Sequence, residues 1–143
     1  MKQIILASHG SLAKGMKSAV KMIAVDVSCI FDYNLDDYIS PVEIRLEIEQ
    51  SIKDNAFDEF ILITDIKGGS VFNELTKLCI YSNIILISVM TLPLVLEINM
   101  MLNSEKTAKE IASIVMPLAL KTCEILDYEK LSELLSDGKE DFC

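Results

Sequence analysis

Apolar positions along the chain fall into short unbroken runs separated by stretches with helical spacing. Gln3 to Ser8 (QIILAS), Val27 to Tyr33, Phe60 to Thr64 (FILIT) and Ile84 to Met90 read as strands, three of them short apolar runs of the kind buried on both faces. Ser11 to Val25 carries Leu12, Met16, Ala19, Val20 and Ile23 at a period of three to four, which predicts an amphipathic helix. A second helix opens at Ser40-Pro41-Val42-Glu43. Ser40 can cap, Pro41 suits the first helical position, Glu43 completes a capping box, and Ile44, Ile48 and Ile52 form one stripe to about Asp54. Val71 to Cys79 and Leu92 to Met101 give two more helices. A further one starts at Ser104-Glu105-Lys106-Thr107, and Pro117 should end or kink it. Leu118 to Leu126 reads as a last strand and Tyr128 to Leu135 as a final helix before a polar tail.

Strands that alternate with helices predict an α/β fold, with a mainly parallel sheet in the order 2-1-3-4 and helices on both faces. Such sheets place their sites at the carboxyl ends of the strands, where the strand order reverses. Two loops qualify: His9-Gly10-Ser11 after the first strand and Asp65 to Ser70 after the third. Asn83 to Leu102 is apolar enough to suggest a membrane span. Pro93, Glu97 and Asn99 interrupt it, and its first half reads as a strand, so a buried strand and a core-facing helix are expected instead.

Composition narrows the function. The 143 residues suit one domain, and 22 acidic against 13 basic residues give a formal charge of -9. That balance argues against nucleic acid and against an anionic membrane surface, both of which require clustered Lys and Arg. A small phosphate can still bind, because local amides and dipoles hold it. Cys29, Cys79, Cys123 and Cys143 are too scattered for a metal motif and fit reduced thiols in the cytoplasm. The start, MKQIILASHGS, lacks the features of a signal peptide. No ligand cluster implies a metal or an organic cofactor.

His9 is the chain's single histidine, and it stands where a strand ends and a helix begins. Gly10 permits close backbone approach, and the free amides of the helix start offer an anion site beside an imidazole able to attack phosphorus. Asp65 holds the matching place on strand three, as a turn residue or as a carboxylate that fixes the tautomer of His9. Gly68, Gly69 and Ser70 precede a helix, and their amides and hydroxyl can cradle phosphate oxygens or simply make the turn. Lys67 could add a charge there or point into solvent, while Asp36-Asp37 and Glu140-Asp141 read as solvated surface. Histidine phosphatases need an arginine before the histidine and a second histidine, whereas Ser8 stands here and no other histidine exists. Tetrapyrrole chelatases also draw on further histidines, and no G-x-S-x-G elbow supports a hydrolase triad.

IILASHGSLAKGM at the start, ILITDIKGGSVFNEL in the middle and VMTLPLVLEI after strand four resemble the IIA component of the mannose-type branch of the bacterial sugar phosphotransferase system, over about the first 125 residues. Asp65, Gly-Gly-Ser and then Phe-Asn form its most specific part. The resemblance implies that His9 is phosphorylated through Nε2, that Asp65 is its hydrogen-bond partner, and that Gly69 and Ser70 line the phosphate pocket. It implies a phosphotransferase component with a small histidine-containing phosphocarrier protein as donor and a histidine of a IIB component as acceptor, in the service of sugar uptake. It also implies a homodimer that exchanges an antiparallel edge strand, here Lys121 to Leu126. Val71 departs from the proline usual after Gly-Gly-Ser. The chain is expected to be one IIA-type domain over 1–143, with a C-terminal helix and polar tail from 127 onward outside the match, so that any IIB partner is a separate polypeptide. A phosphoryl-transfer subunit serving dihydroxyacetone kinase shares the early histidine but differs in the third-strand loop. A non-catalytic regulatory module of the same fold is a third reading.

Overall fold

The computed structural model describes residues 1–138. Glu140-Asp141, Cys143 and the rest of the polar tail lie outside the described residues. Four parallel strands, β1 (Lys2–Ser8), β2 (Ile30–Asn34), β3 (Glu59–Thr64) and β4 (Ile84–Ile87), form one sheet in the order β2-β1-β3-β4. The helices are α1 (Leu12–Ala24), α2 (Pro41–Asp54), α3 (Ser70–Leu75), α4 (Leu92–Met101), α5 (Ala108–Leu120) and α6 (Tyr128–Ser136). The expected fold class and strand order are therefore observed.

Side-chain alternation sorts the sheet into two cores. Ile4, Leu6, Ile61 and Ile63 face α1, α4 and α5, where Val20, Val95, Ile98, Ile111 and Val115 are buried. Ile5, Ala7, Phe60 and Leu62 face α2 and α3, meeting Ile44, Ile48, Ile52, Val71 and Leu75. Each fully buried Ile or Leu contributes roughly 1.5–3 kcal/mol, so the two cores fix the strand register firmly.

Several boundaries differ from expectation for local reasons. β2 starts late because Asp26 Oδ1 accepts from the Ser28 N–H, and the Ile30 N–H closes a turn on the Val27 carbonyl. β4 stops at Ile87 because Val89 adopts φ 65°, which turns the chain so that the Met90 N–H reaches the Thr64 carbonyl. The second helix begins where expected, but Ser40 makes no side-chain cap; Glu43 instead accepts from the Ile39 N–H at 3.4 Å. The segment Val71 to Cys79 divides into α3 and a 3-10 turn over Thr76–Ile80. Thr107 and Glu110 form a full capping box at the start of α5.

α5 runs through Pro117 to Leu120, and residues 121–127 are exposed without regular structure. The antiparallel strand expected at Lys121 to Leu126 thus does not form within this chain, which leaves the outer edge of β4 unpaired among the described residues. A proline three residues from a helix end removes one hydrogen bond and leaves the buried first half of α5 intact. The apolar segment at 83–102 is β4 followed by α4, and no helix among the described residues is long and apolar enough to cross a membrane.

Candidate functional site

The register pairs Ala7 with Thr64, so β1 and β3 leave the sheet side by side, with β2 on the other flank of β1. Both neighbours of β1 then feed helices on the same face of the sheet, while α1 crosses to the other. His9 lies just past the tip of β1 and Asp65 just past the tip of β3. The two loops singled out from the sequence therefore face each other across the switch point.

Asp65 grips the histidine twice. Its Oδ2 accepts from the His9 backbone N–H at 2.7 Å and from the ring Nδ1–H at 2.8 Å, while Oδ1 accepts from the Ile66 N–H at 2.9 Å. Burial, the largest single influence, pushes the Asp65 carboxyl up. The His9 backbone N–H, the His9 ring and the Ile66 N–H together outweigh it and hold the group below the usual carboxylate range. An ionised carboxylate only accepts, so Nδ1 must carry the proton, and the neutral ring keeps its lone pair on Nε2. The Ser70 hydroxyl stands 3.2 Å from Nε2 and can donate to that lone pair. The His9 side chain is 46% exposed and that of Asp65 11%, so the nucleophilic edge faces outward from a sheltered anchor.

The glycines divide by role. Gly10 has φ +52° and its carbonyl accepts from the Asp36 N–H at 3.3 Å, which ties the first loop to a 3-10 turn at Leu35–Asp37. A Cβ on Gly69 would lie 2.8 Å from Ile66 Cγ2 and 3.2 Å from His9 Cε1, so the space here is closed first by Ile66 and then by the ring. Gly68, at φ +81°, has open space around its Cα and serves the turn rather than the ring. Lys67 is exposed and in no ion pair among the described residues.

The supply of amides is narrower than the sequence suggested. The buried Ser8 hydroxyl accepts from the Ala13 N–H at 2.7 Å, and Asn34 Oδ1 accepts from the Lys14 N–H at 2.9 Å. The Leu12 N–H leans toward the His9 carbonyl at 3.5 Å. Most of the first turn of α1 is therefore claimed, and in this loop Gly10 and Ser11 retain N–H groups without an acceptor among the described residues. Sequence reasoning missed Ser8 and Asn34 as the groups that seat α1 behind His9. A hydroxyl five residues ahead of the amide it caps, and an amide at the tip of another strand, leave no fixed spacing to find.

The arrangement is a nucleophilic imidazole of fixed tautomer, backed by a carboxylate and flanked by a hydroxyl and small residues. Such a ring offers a lone pair at Nε2 that can accept an electrophilic phosphorus. The family model described as the PTS system fructose IIA component, EIIA-man, matches residues 3–116. No curated protein matches. Among solved structures, the chain is similar to a protein from Klebsiella pneumoniae subsp. pneumoniae MGH 78578 assigned as a phosphoenolpyruvate-dependent sugar phosphotransferase system (PTS) permease, at 27% identity and TM-score 0.76, covering 87% of this chain and 90% of that one. It shares its fold with a phosphotransferase system component EIIA from Streptococcus agalactiae (23% identity, TM-score 0.78, 90% and 98% covered). The same holds for a mannose/sorbose-specific IIA subunit from Enterococcus faecalis (20% identity, TM-score 0.70, 89% and 96% covered). With four-fifths of its length matched by the family model and the sheet order observed, the chain belongs to the EIIA-man family of sugar phosphotransferase system IIA components.

Proposed function

We propose that His9 Nε2 accepts a phosphoryl group from the histidine-containing phosphocarrier protein and yields it to a histidine of a IIB component, in the cytoplasm and in the service of sugar uptake. The observation that carries this reading is the orientation of one ring. Nδ1–H is anchored on Asp65, and Nε2 is turned toward Ser70 on an exposed edge. In the first transfer the N–P bond of the donor breaks as the Nε2–P bond forms, in line. His9 keeps its Nδ1 proton, and the positive charge that develops on the ring falls opposite the Asp65 carboxylate. Ser70 turns its hydroxyl from Nε2 to a phosphoryl oxygen, and the N–H groups of Gly10 and Ser11 take others. The second transfer reverses these steps. Positioning and charge stabilisation, rather than covalent help from further residues, lower the barrier.

Residues 1–143 serve in this reading as one IIA domain that pairs with a second copy. The bare outer edge of β4 supports the pairing, as do the exposed Ile125 and Leu126 and an apolar cavity of about 360 Å³ beside β4 lined by Val89, Leu94, Met116 and Leu120.

The test is incubation with phosphoenolpyruvate, enzyme I and the phosphocarrier protein. Acid-labile phosphate should appear on the wild-type chain, vanish in His9→Ala, and pass to an added IIB protein but not to dihydroxyacetone kinase subunits. Labelling that survives His9→Ala would refute the site. Transfer to the kinase subunits alone would refute the assignment of the acceptor.

A further inference from the structure

The Gly68-Gly69 peptide is held at both ends. Its carbonyl, on Gly68, accepts from the Asn73 side-chain amide at 3.0 Å, and its N–H, on Gly69, donates to the Ile66 carbonyl at 3.2 Å. The next carbonyl, on Gly69, accepts from the Asn73 backbone N–H at 2.9 Å. One residue thus grips two successive carbonyls, and the Ser70 N–H, opposite the second of them in its peptide plane, is aimed off the start of α3. The Ser70 N–H has no acceptor among the described residues.

A peptide between two glycines, the first at φ +81°, is the least constrained kind of backbone, because neither residue has a Cβ to oppose rotation of the plane. Little besides hydrogen bonding therefore fixes its orientation. What depends on that orientation is close to the chemistry. Gly69 lies against the Cε1 edge of His9, and the next residue presents its hydroxyl to Nε2. Asn73 itself is exposed and makes no hydrogen bond to the ring or to the Asp65 carboxylate among the described residues.

We infer that Asn73 is a positioning residue: its side-chain amide locks the Gly68-Gly69 peptide in the one orientation that sets Gly69 and Ser70 against the His9 ring. This inference rests on the proposed phosphoryl transfer only for its kinetic consequence, because the lock itself can be observed without any donor. The carboxamide is needed for its donor. An aspartate of the same shape would face the Gly68 carbonyl with a second acceptor, and an alanine would leave it to water.

The experiment compares wild type with Asn73→Ala and Asn73→Asp by NMR and by labelling. In both variants the Gly69 and Ser70 amides should show microsecond-to-millisecond exchange absent from wild type. The ring nitrogen shifts of His9 should still report Nδ1–H, since Asp65 is untouched. Labelling by phosphoenolpyruvate, enzyme I and the phosphocarrier protein should fall at least tenfold, with thermal midpoints within a few degrees of wild type. Quiet Gly69 and Ser70 amides in Asn73→Ala would overturn the inference, and so would wild-type labelling rates in both variants. A loss of labelling that merely follows a large loss of thermal stability, with no new exchange at those amides, would also overturn it. If wild type itself takes no phosphate, the proposed transfer fails while the exchange measurement still decides the role of Asn73.

Discussion

Replacing Asp65 with asparagine is the sharpest probe of the site, because it removes one charge and almost no volume. The carboxylate accepts three N–H bonds, two on Oδ2 from His9 and one on Oδ1 from Ile66. An asparagine has one acceptor oxygen. Turned toward His9 it keeps both bonds there and surrenders Ile66; turned the other way it sets its own N–H groups against two donors. The first arrangement is favoured, so Nδ1 keeps its proton and Nε2 its lone pair. The loss is then electrostatic. In the proposed transfer the ring becomes cationic as Nε2 takes phosphorus, and a carboxylate 2.8 Å from Nδ1 would stabilise that charge. Unit charges about 4 Å apart attract by roughly 1 kcal/mol in bulk water and about 4 kcal/mol near a protein surface.

With the ring 46% exposed and Asp65 sheltered, the middle of that range applies. A loss of about 2–3 kcal/mol in the transition state slows transfer roughly 30- to 150-fold. The assay is the initial rate of acid-labile phosphate uptake at saturating phosphocarrier protein, with a denaturation curve to confirm that the variant is folded. A folded Asp65→Asn chain that labels at the wild-type rate would show that the carboxylate does not stabilise the transferring ring. A loss beyond about ten-thousandfold would mean that the tautomer has inverted, as in serine protease triads whose aspartate becomes asparagine.

The two loop glycines should respond differently. Gly69→Ala brings a Cβ to 2.8 Å from Ile66 and 3.2 Å from the His9 ring, so overpacking should destabilise by about 1–3 kcal/mol and slow labelling. Gly68→Ala meets open space but forces a Cβ onto φ +81°, so stability should fall by about 1–2 kcal/mol while most labelling survives. Equal effects of the two on labelling, once stability is matched, would contradict the roles given them. The Asp65 carboxyl also couples stability to pH. Because folding holds it below its ordinary value, it stabilises the fold above the unfolded carboxylate value of about 3.9 and ceases to as pH falls through the lower folded value. The denaturation midpoint of wild type should therefore exceed that of Asp65→Asn most clearly near pH 6, and the gap should close below about pH 4.

What could be read from the sequence was whatever a single periodicity decides. The apolar runs QIILAS and FILIT had to be strands buried on both faces, and once these were neighbours His9 and Asp65 had to meet at their tips. Elements settled by one unusual torsion or by distant partners were not legible. Val89 at φ 65° cuts β4 short, although its β-branched side chain favours a strand. Pro117 sits where a helix usually stops, yet α5 passes it to Leu120, with Met116 and Ala119 on either side of it packed against the core. Ser40 carries the spacing of a cap and does not act as one, whereas Ser8 and Asn34 cap α1 without any such spacing. The segment Lys121 to Leu126 has strand-like composition but does not pair with the open edge of β4 in its own chain.

The distribution of positive charge bears on how the transfer is shared between proteins. The chain's single arginine, Arg45, is held by Glu74 at 2.7 Å and Glu49 at 3.1 Å on the outer faces of α2 and α3. The Ser70 hydroxyl beside Nε2 is neutral, as are the Gly10 and Ser11 amides of the first loop, and Lys67 is the one cation in either site loop. Such a pocket orients a phosphoryl group but neutralises little of the charge on its three oxygens. In the proposed relay strong neutralisation would trap the phosphate on His9, whereas the carrier would have to release it as readily as it takes it. In the proposed transfer the carboxylate behind the ring stabilises the phosphorylated imidazole, while the weak cationic character in front of it limits how tightly the phosphoryl oxygens are held. On the proposed function the remaining positive charge would come from the docking face of each partner, and the exposed side chain of His9 would leave room for that face to reach the phosphorus. A net charge of -9 would draw a basic docking face of such a proposed partner at long range.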